Sequence, residues 1–499
     1  MDLEQLTAAV PDARIVGAEG GIEIDDLAFD SRRVEAGTLF VCVPGMSSDG
    51  HDFAPAALGA GASALVVERE LPIDAPQVLV GDARRAMAPL AARLFGEPSR
   101  ELRMVGVTGT NGKTTTAFLI RDILEAAGMP CGLLGTVKQV VAGAEEPVAR
   151  TTPEAIDLQR TFRRMLAGGD RACVMEVSSH ALSLGRADAI HFDVAAFTNL
   201  TQDHLDFHAD MGDYFAAKRL LFLPTEGGAG IAPETAVVNA DDPYGARLLE
   251  ELTAAGQPAA VSFSPSGRAA DLRAQNVSFD SSGTRFDLLR EGSTTAVELG
   301  IPGHFNVENA LAALGSAGAI GVDQPVAVDA LARIAPVPGR MEPVDAGQPF
   351  GVLVDYAHTP DSLENVLRAA RRLTEGRLIC AFGCGGDRDA SKRPLMGRAG
   401  AELADLAIVT SDNPRSEEPE AIIAAILAGI GPGERGDVVV EPDRRAAIAI
   451  ALSNASPGDL VVIAGKGHEQ GQELKGGRKI PFDDREVARA ELAALSARA

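Results

Sequence analysis

The sequence predicts an α/β fold in three domains, and three observations carry the prediction. At 499 residues the chain exceeds what one core of roughly 150 residues accommodates. Short apolar runs bounded by Gly, Pro, Asn or Asp alternate with Ala/Leu-rich stretches of helical character, the pattern of βαβ units. The stretch Pro336-Val337-Pro338-Gly339-Arg340 interrupts this alternation and reads as a hinge.

The first unit, residues 1–100, is defined by Leu39–Val43 and Ala64–Val67 and closes near Glu97-Pro98-Ser99-Arg100. A second, residues 101–335, opens with Met104-Val105-Gly106-Val107 and contains Val174–Val177, Val194–Phe197 and Ala236–Asn239. The third, residues 336–499, has strands predicted at Val352–Val354, Leu378–Phe382, Ala407–Val409 and Leu460–Ile463. Open parallel sheets bind ligands beyond the carboxyl ends of their strands. The residues that follow these runs are unusually polar: Thr108–Lys113, Ser178-Ser179-His180, Thr198-Asn199-Leu200, Asp355–His358, Gly383–Arg388, Asp412–Arg415 and Gly465–Glu469.

A formal net charge of −24 argues against nucleic-acid partners and against an anionic membrane surface, which need clustered Lys and Arg. The first residues, Met1-Asp2-Leu3-Glu4-Gln5, carry acid where a secretory signal carries base. No apolar run approaches the ~20 residues that span a bilayer, so a cytoplasmic protein is expected. The five cysteines show no Cys-x-x-Cys spacing, and Cys42, Cys173, Cys380 and Cys384 lie in or beside apolar runs, which favours core packing. Only seven of the 46 basic residues are lysine; Lys113 and Lys466 fall in these polar segments, and Lys218 and Lys392 lie outside them.

Gly109-Thr110-Asn111-Gly112-Lys113-Thr114-Thr115 lies between a strand and a helical stretch, where backbone N–H groups and a helix N-terminus cradle phosphates. Val107 replaces the first glycine of the usual phosphate-loop spacing, yet Lys113 stands where it would reach the β/γ-phosphates and Thr114 where a hydroxyl would bind Mg²⁺. Glu176, at a strand end, is a candidate carboxylate for the same cation. His204 and His208 stand at i, i+4, a zinc-like spacing without a Cys partner or an intervening Glu. Taken alone, Lys218 also fits a solvent-facing position on a helix.

Together, the loop at 109–115, the segment 197–208 and Lys218 resemble the central domain of the Mur ligases, and the resemblance extends over nearly the whole chain. It implies a central phosphate-loop, ATPase-like parallel sheet flanked by an N-terminal α/β domain and a C-terminal Rossmann-like domain. It further implies a carbamylated Lys218 that, with His204, holds a second Mg²⁺. Asn306, Asn309, Arg340 and His358 resemble the family's nucleotide contacts. Phe29 and Ser31, in Phe29-Asp30-Ser31-Arg32, resemble the segment that holds the uridine-diphosphate sugar, as does Gly45–Gly50. Thr151, Thr152, Ser178 and Arg186 resemble contacts to the muramoyl-dipeptide. Asp412-Asn413-Pro414-Arg415 resembles the signature of members that add diaminopimelate, with Arg388, Gly465 and Glu469 as further contacts.

The expected reaction is ATP-dependent amide formation through an acyl phosphate, with UDP-N-acetylmuramoyl-L-alanyl-D-glutamate and meso-diaminopimelate as the other substrates and two Mg²⁺ ions. Lys113, Glu176, His204 and Lys218 are the expected catalytic groups. Another amide ligase of the same superfamily and a non-catalytic nucleotide-driven switch are the alternatives.

Overall fold

The computed structural model describes the chain except residues 18–20, 46–47, 149, 226–227, 281, 432–435 and 498–499. Met46 and Ser47 of the predicted sugar-nucleotide segment therefore lie outside the described residues.

Three principal sheets organise the chain. The first, near the N-terminus, has five strands in the order Arg14–Val16, Gln77–Leu79, Ala64–Val67, Thr38–Val41 and Asp26–Ala28. Its Arg14–Val16 edge is antiparallel and the remaining pairs parallel. The central sheet has eleven strands. Its parallel part runs in the order Leu272–Asp280, Ala259–Ser264, Thr235–Asn239, Val194–Phe197, Arg103–Thr108, Ala172–Glu176 and Cys131–Leu134. The C-terminal sheet has six strands, with Gly351–Asp355, Leu460–Ala464, Leu378–Phe382, Leu406–Val409 and Asp437–Val440 in parallel order behind a short antiparallel edge, Glu342–Pro343.

The central sheet departs from the parallel expectation at both edges. Gly283–Arg290 folds back antiparallel on Leu272–Asp280 and Ser293–Leu299 on Gly283–Arg290, while at the other edge Gln139–Val141 pairs antiparallel with Cys131–Leu134 and Ala144–Glu146 with Gln139–Val141. Glu291-Gly292 and Ala142-Gly143, all with positive φ, form the turns Arg290–Ser293 and Val141–Ala144, Gly283 begins its strand at φ +146°, and burial alternates along Leu272–Asp280. One face is thus packed and the other wet, as antiparallel strands allow and buried parallel strands do not.

The central strands are buried on both sides. One core, containing Val105, Val107, Leu119, Ile120, Val174, Ala196, Leu311 and Leu314, lies under the helices Lys113–Ala126 and Phe305–Ile320. The opposite core gathers Met104, Met175, Phe162, Phe197, Phe215 and Phe222. Burial of this kind contributes roughly 1.5–3 kcal/mol per large apolar side chain. All five cysteines are buried and free of disulfides.

The helix Ala155–Ala167 fastens the first sheet's domain to the central one. Arg160 donates to Asp26 (2.8 Å) and to the Leu27 carbonyl (2.9 Å), and Arg163 to the carbonyls of Phe95 (2.9 Å) and Gly96 (3.0 Å). Arg33 returns the contact to Asp157 at 2.9 Å. Among the described residues no helix is long and apolar enough to cross a membrane.

Candidate active site

The loop between Arg103–Thr108 and Lys113–Ala126 is braced from both sides. Gly109 has φ +149°, and a Cβ there would lie 1.9 Å from Thr198 Oγ1; at Gly112, φ +85°, it would lie 2.3 Å from Asn309 Oδ1. Only glycine fits either position. The Thr110 N–H donates to the Asn199 carbonyl (2.8 Å), the Asn111 N–H to Asn199 Oδ1 (2.9 Å), and Thr198 Oγ1 to the Asn111 carbonyl (2.6 Å). Lys113 Nζ curls over the loop, donating to the carbonyls of Gly109 (3.0 Å) and Thr110 (2.8 Å). Thr114 and Thr115 are buried on the first helical turn.

Thr114 Oγ1 donates to Glu176 Oε1 at 3.0 Å. The same carboxylate accepts the Thr136 N–H (2.7 Å) and hydroxyl (3.0 Å), and Thr136 Oγ1 lies 3.0 Å from Thr151 Oγ1. Thr152 Oγ1 donates to the Glu176 carbonyl at 2.9 Å and accepts the Ser178 N–H at 3.1 Å. Arg186 reaches the Thr152 carbonyl (3.4 Å) and pairs with Glu154 at 3.0 Å. Thr151, Thr152, Ser178 and Arg186 thus stand together beside the phosphate loop. Phe29 and Ser31 follow the strand Asp26–Ala28 that Arg160 fastens.

Lys218 is 1% exposed; its Nζ donates to the Gly109 carbonyl at 2.7 Å and lies 4.7 Å from the Tyr214 ring centroid. Burial, with repulsion from Lys113, holds its ammonium far below the usual lysine range, against the pull of Asp203. The Lys113 pKa is lowered as well, chiefly by burial. Burial and the neighbouring His180, Lys218 and Lys113 depress His204 to about 3 despite Asp203, so its ring is neutral at ordinary pH.

The Thr114 hydroxyl and the Glu176 carboxylate are hard oxygen donors of the kind Mg²⁺ takes, whereas the neutral His204 imidazole is a borderline nitrogen donor. Among the described residues no three His, Cys, Asp or Glu side chains cluster as a metal site. His208 is committed on both ring nitrogens, to Ser179 at 2.9 Å and Asp213 at 3.2 Å, so the i, i+4 histidine pair is not a zinc site.

The C-terminal domain meets the loop directly. Arg340 lies over Tyr356, 4.7 Å from its centroid, and donates to Thr114 Oγ1 at 3.1 Å. Asn111 Nδ2 donates to Asp361 at 2.7 Å, Gln202 to Ser391 at 2.9 Å, and Lys392 lies 3.5 Å from Asp203, with His358 3.9 Å from the same carboxylate. Asn306 and Asn309 are joined at 2.9 Å on the helix Phe305–Ile320, and Asn309 accepts from Thr116 at 3.2 Å.

Asp412, Asn413 and Pro414 are buried after the strand Leu406–Val409, and Arg415 has φ +51°, strained for a residue with a Cβ. Fully buried Lys466 donates to Asn413 Oδ1 and Glu469 Oε2, both at 2.8 Å, and Asn413 Nδ2 donates to Glu469 at 2.9 Å. Gly465, φ +119°, brings the chain against Asp412, whose Oδ2 a Cβ would approach to 3.1 Å. Arg415 Nε donates to Glu473 (2.8 Å) and Nη1 to the Gly386 carbonyl (2.7 Å). Arg388 is exposed, with one bond to the Asp387 carbonyl at 3.0 Å.

Thr136, Asp203, Asp361 and Glu473 were not singled out from the sequence. Thr136 does follow the strand Cys131–Leu134, so the strand-end rule applied there would have found it. Glu473 lies in a polar hairpin with no such signal.

Three family models match the chain: the Mur ligase family catalytic domain at residues 23–94, the Mur ligase middle domain at 107–317 and the Mur ligase glutamate ligase domain at 339–467. A UDP-N-acetylmuramoyl-L-alanyl-D-glutamate–2,6-diaminopimelate ligase of Geobacillus kaustophilus is 48% identical over 94% of this chain and 95% of its own. One of Streptomyces coelicolor is 46% identical over 97% and 94%. A solved structure of a ligase bearing the same name superposes with a TM-score of 0.68 at 32% identity, over 99% of this chain and 100% of its own.

Proposed function

The chain belongs to the Mur ligase family, and on that footing we propose that it joins meso-diaminopimelate to UDP-N-acetylmuramoyl-L-alanyl-D-glutamate with cleavage of ATP, in peptidoglycan biosynthesis. The observation that supports the reading is the chain of contacts Thr114–Glu176–Thr136–Thr151, which gathers the loop at 109–115 and the threonines Thr136 and Thr151 around one buried glutamate.

In the proposed division of labour, residues 1–100 hold the UDP-sugar through Phe29 and Ser31, residues 101–335 hold ATP and the dipeptide, and residues 336–499 bring diaminopimelate. Arg186, with Thr151, Thr152 and Ser178, orients the D-glutamyl carboxylate. Its oxygen attacks the γ-phosphorus, the bond to ADP breaks, and an acyl phosphate forms. Lys113 compensates the charge of the transferring phosphoryl group, while Gly109–Thr115 cradle the phosphates. Asn306, Asn309, Arg340 and His358 hold the nucleotide. The amine of diaminopimelate then adds to the acyl carbon, the tetrahedral centre loses phosphate, and the amine proton passes to solvent.

Thr114 and Glu176 would hold one Mg²⁺ and His204 with carboxylated Lys218 a second, which would supply charge neutralisation where two anions meet. For that role the neutral Lys218 amine adds to the carbon of CO₂ and releases a proton, giving an N-carboxylate. Arg388 and the loop Asp412-Asn413-Pro414-Arg415 take the amino acid's carboxylates, and Gly465 and Glu469 its distal ammonium. A cytoplasmic location accords with these substrates.

Incubation with UDP-N-acetylmuramoyl-L-alanyl-D-glutamate, ATP, Mg²⁺ and a panel of amino acids tests the reading. Phosphate release is expected only when both carboxylate and amine substrates are present, with diaminopimelate preferred. Nucleotide binding without such release would point instead to a non-catalytic switch.

A further inference from the structure

A small hairpin, Gly471–Leu474 paired with Arg478–Pro481, stands apart from the three large sheets and grips the Asp412–Arg415 loop at four points. Gln472 Nε2 donates to the Asp412 carbonyl at 2.6 Å. The Glu473 N–H donates to Asn413 Oδ1 at 3.0 Å, and the Glu473 carbonyl accepts the Arg415 N–H at 3.1 Å. The Glu473 carboxylate takes Arg415 Nε at 2.8 Å and is itself flanked by Lys479 at 3.0 Å.

These ties explain how Arg415 keeps its left-handed φ of +51°. They also orient its guanidinium: with Nε on Glu473 and one Nη1 proton on Gly386, the Nη edge keeps the donors that a ligand carboxylate needs. We propose that Glu473 is a positioning residue that sets the preference for an amino acid ending in a carboxylate, by holding the Arg415 fork in a fixed attitude. The proposal rests on the reading of Arg415 as the receiver of that carboxylate.

Steady-state kinetics of Glu473→Ala, Glu473→Asp, Glu473→Gln, Arg415→Ala and the double variant Glu473→Ala/Arg415→Ala test it. Glu473→Ala is expected to raise KM for diaminopimelate about 10- to 100-fold, the loss of one charge-assisted hydrogen bond. KM for ATP and for the UDP-dipeptide should stay within about two-fold. The ratio of diaminopimelate to lysine turnover should fall, Glu473→Gln, whose amide oxygen still accepts from Nε, should retain most of the preference, and the double variant should be no worse than Arg415→Ala. Glu473→Asp, one methylene short, should lie between wild type and Glu473→Ala, and it carries the test if the alanine variant does not fold. Equal rises in all three KM values, or losses that add in the double variant, would overturn the proposal while leaving the function standing. A wild-type enzyme indifferent to diaminopimelate would overturn both.

Discussion

Lys113 and Lys218, 105 positions apart in sequence, donate to one and the same acceptor, the carbonyl oxygen of Gly109, at 3.0 and 2.7 Å. Two amines on one oxygen repel each other when both are charged; burial lowers both pKa values, and that of Lys218 the further, with Lys113 as its repelling neighbour.

That shift has a signature in stability. Below 10.5, the value of an exposed lysine, and above the lowered folded value, the unfolded chain holds a proton at Lys218 that the folded chain lacks. Stability associated with this residue therefore rises with pH across that window and levels off above 10.5. In CO₂-free buffer, Tm measured from about pH 7 to about pH 10 should rise more for wild type than for Lys218→Met. Parallel curves would mean that the amine is not perturbed.

Turnover should vanish in Lys218→Ala and return in part when short-chain carboxylates are added, since they can fill the anionic position. An alanine variant of near wild-type activity without additive would remove Lys218 from the mechanism.

Lys113→Ala should lower kcat by orders of magnitude, because the lost charge acts on the transferring phosphoryl group. The check is single-turnover phosphate release; a change confined to KM for the amino acid would contradict the assignment.

For Arg415→Ala, KM for diaminopimelate should rise roughly 10- to 1000-fold, from about 1.5–3 kcal/mol per charge-assisted bond. Any residual reaction with lysine should change far less. Equal loss with both amino acids would show that the side chain does not read the distal carboxylate.

Beneath these loops Arg444 and Asp484, 1% and 0% exposed, form a bidentate pair at 2.8 and 2.7 Å, and Arg444 also donates to the Ala464 carbonyl at 2.9 Å. Removing one partner strands a buried charge, so Asp484→Ala should cost about 3–5 kcal/mol. Calorimetry should show that loss, whereas truncating the exposed pair Lys475–Glu418 should leave the unfolding transition essentially where it is.

The phosphate loop was legible because its chemistry is local: a strand, glycines forced by close approach, a lysine and a hydroxyl within a few residues. The parallel strands were legible from their continuous apolar runs. The antiparallel edges were not, since the runs at 272–299 are half wet and look like surface. Nor were Asp361 and Glu473, whose partners Asn111 and Arg415 lie 250 and 58 positions away, so no window of sequence holds both halves of either contact.

The helix Ala155–Ala167, tied to Asp26, Leu27, Phe95 and Gly96 through two arginines, works as a calliper. It begins just after Thr151 and Thr152 and leans on the strand that leads to Phe29 and Ser31, so one rigid rod sets the span between those two pairs of residues. On the proposed assignment, a sugar nucleotide held at Phe29 and Ser31 would present its terminal carboxylate at a fixed reach, and the rod would gauge the length of the peptide stem before any bond is made.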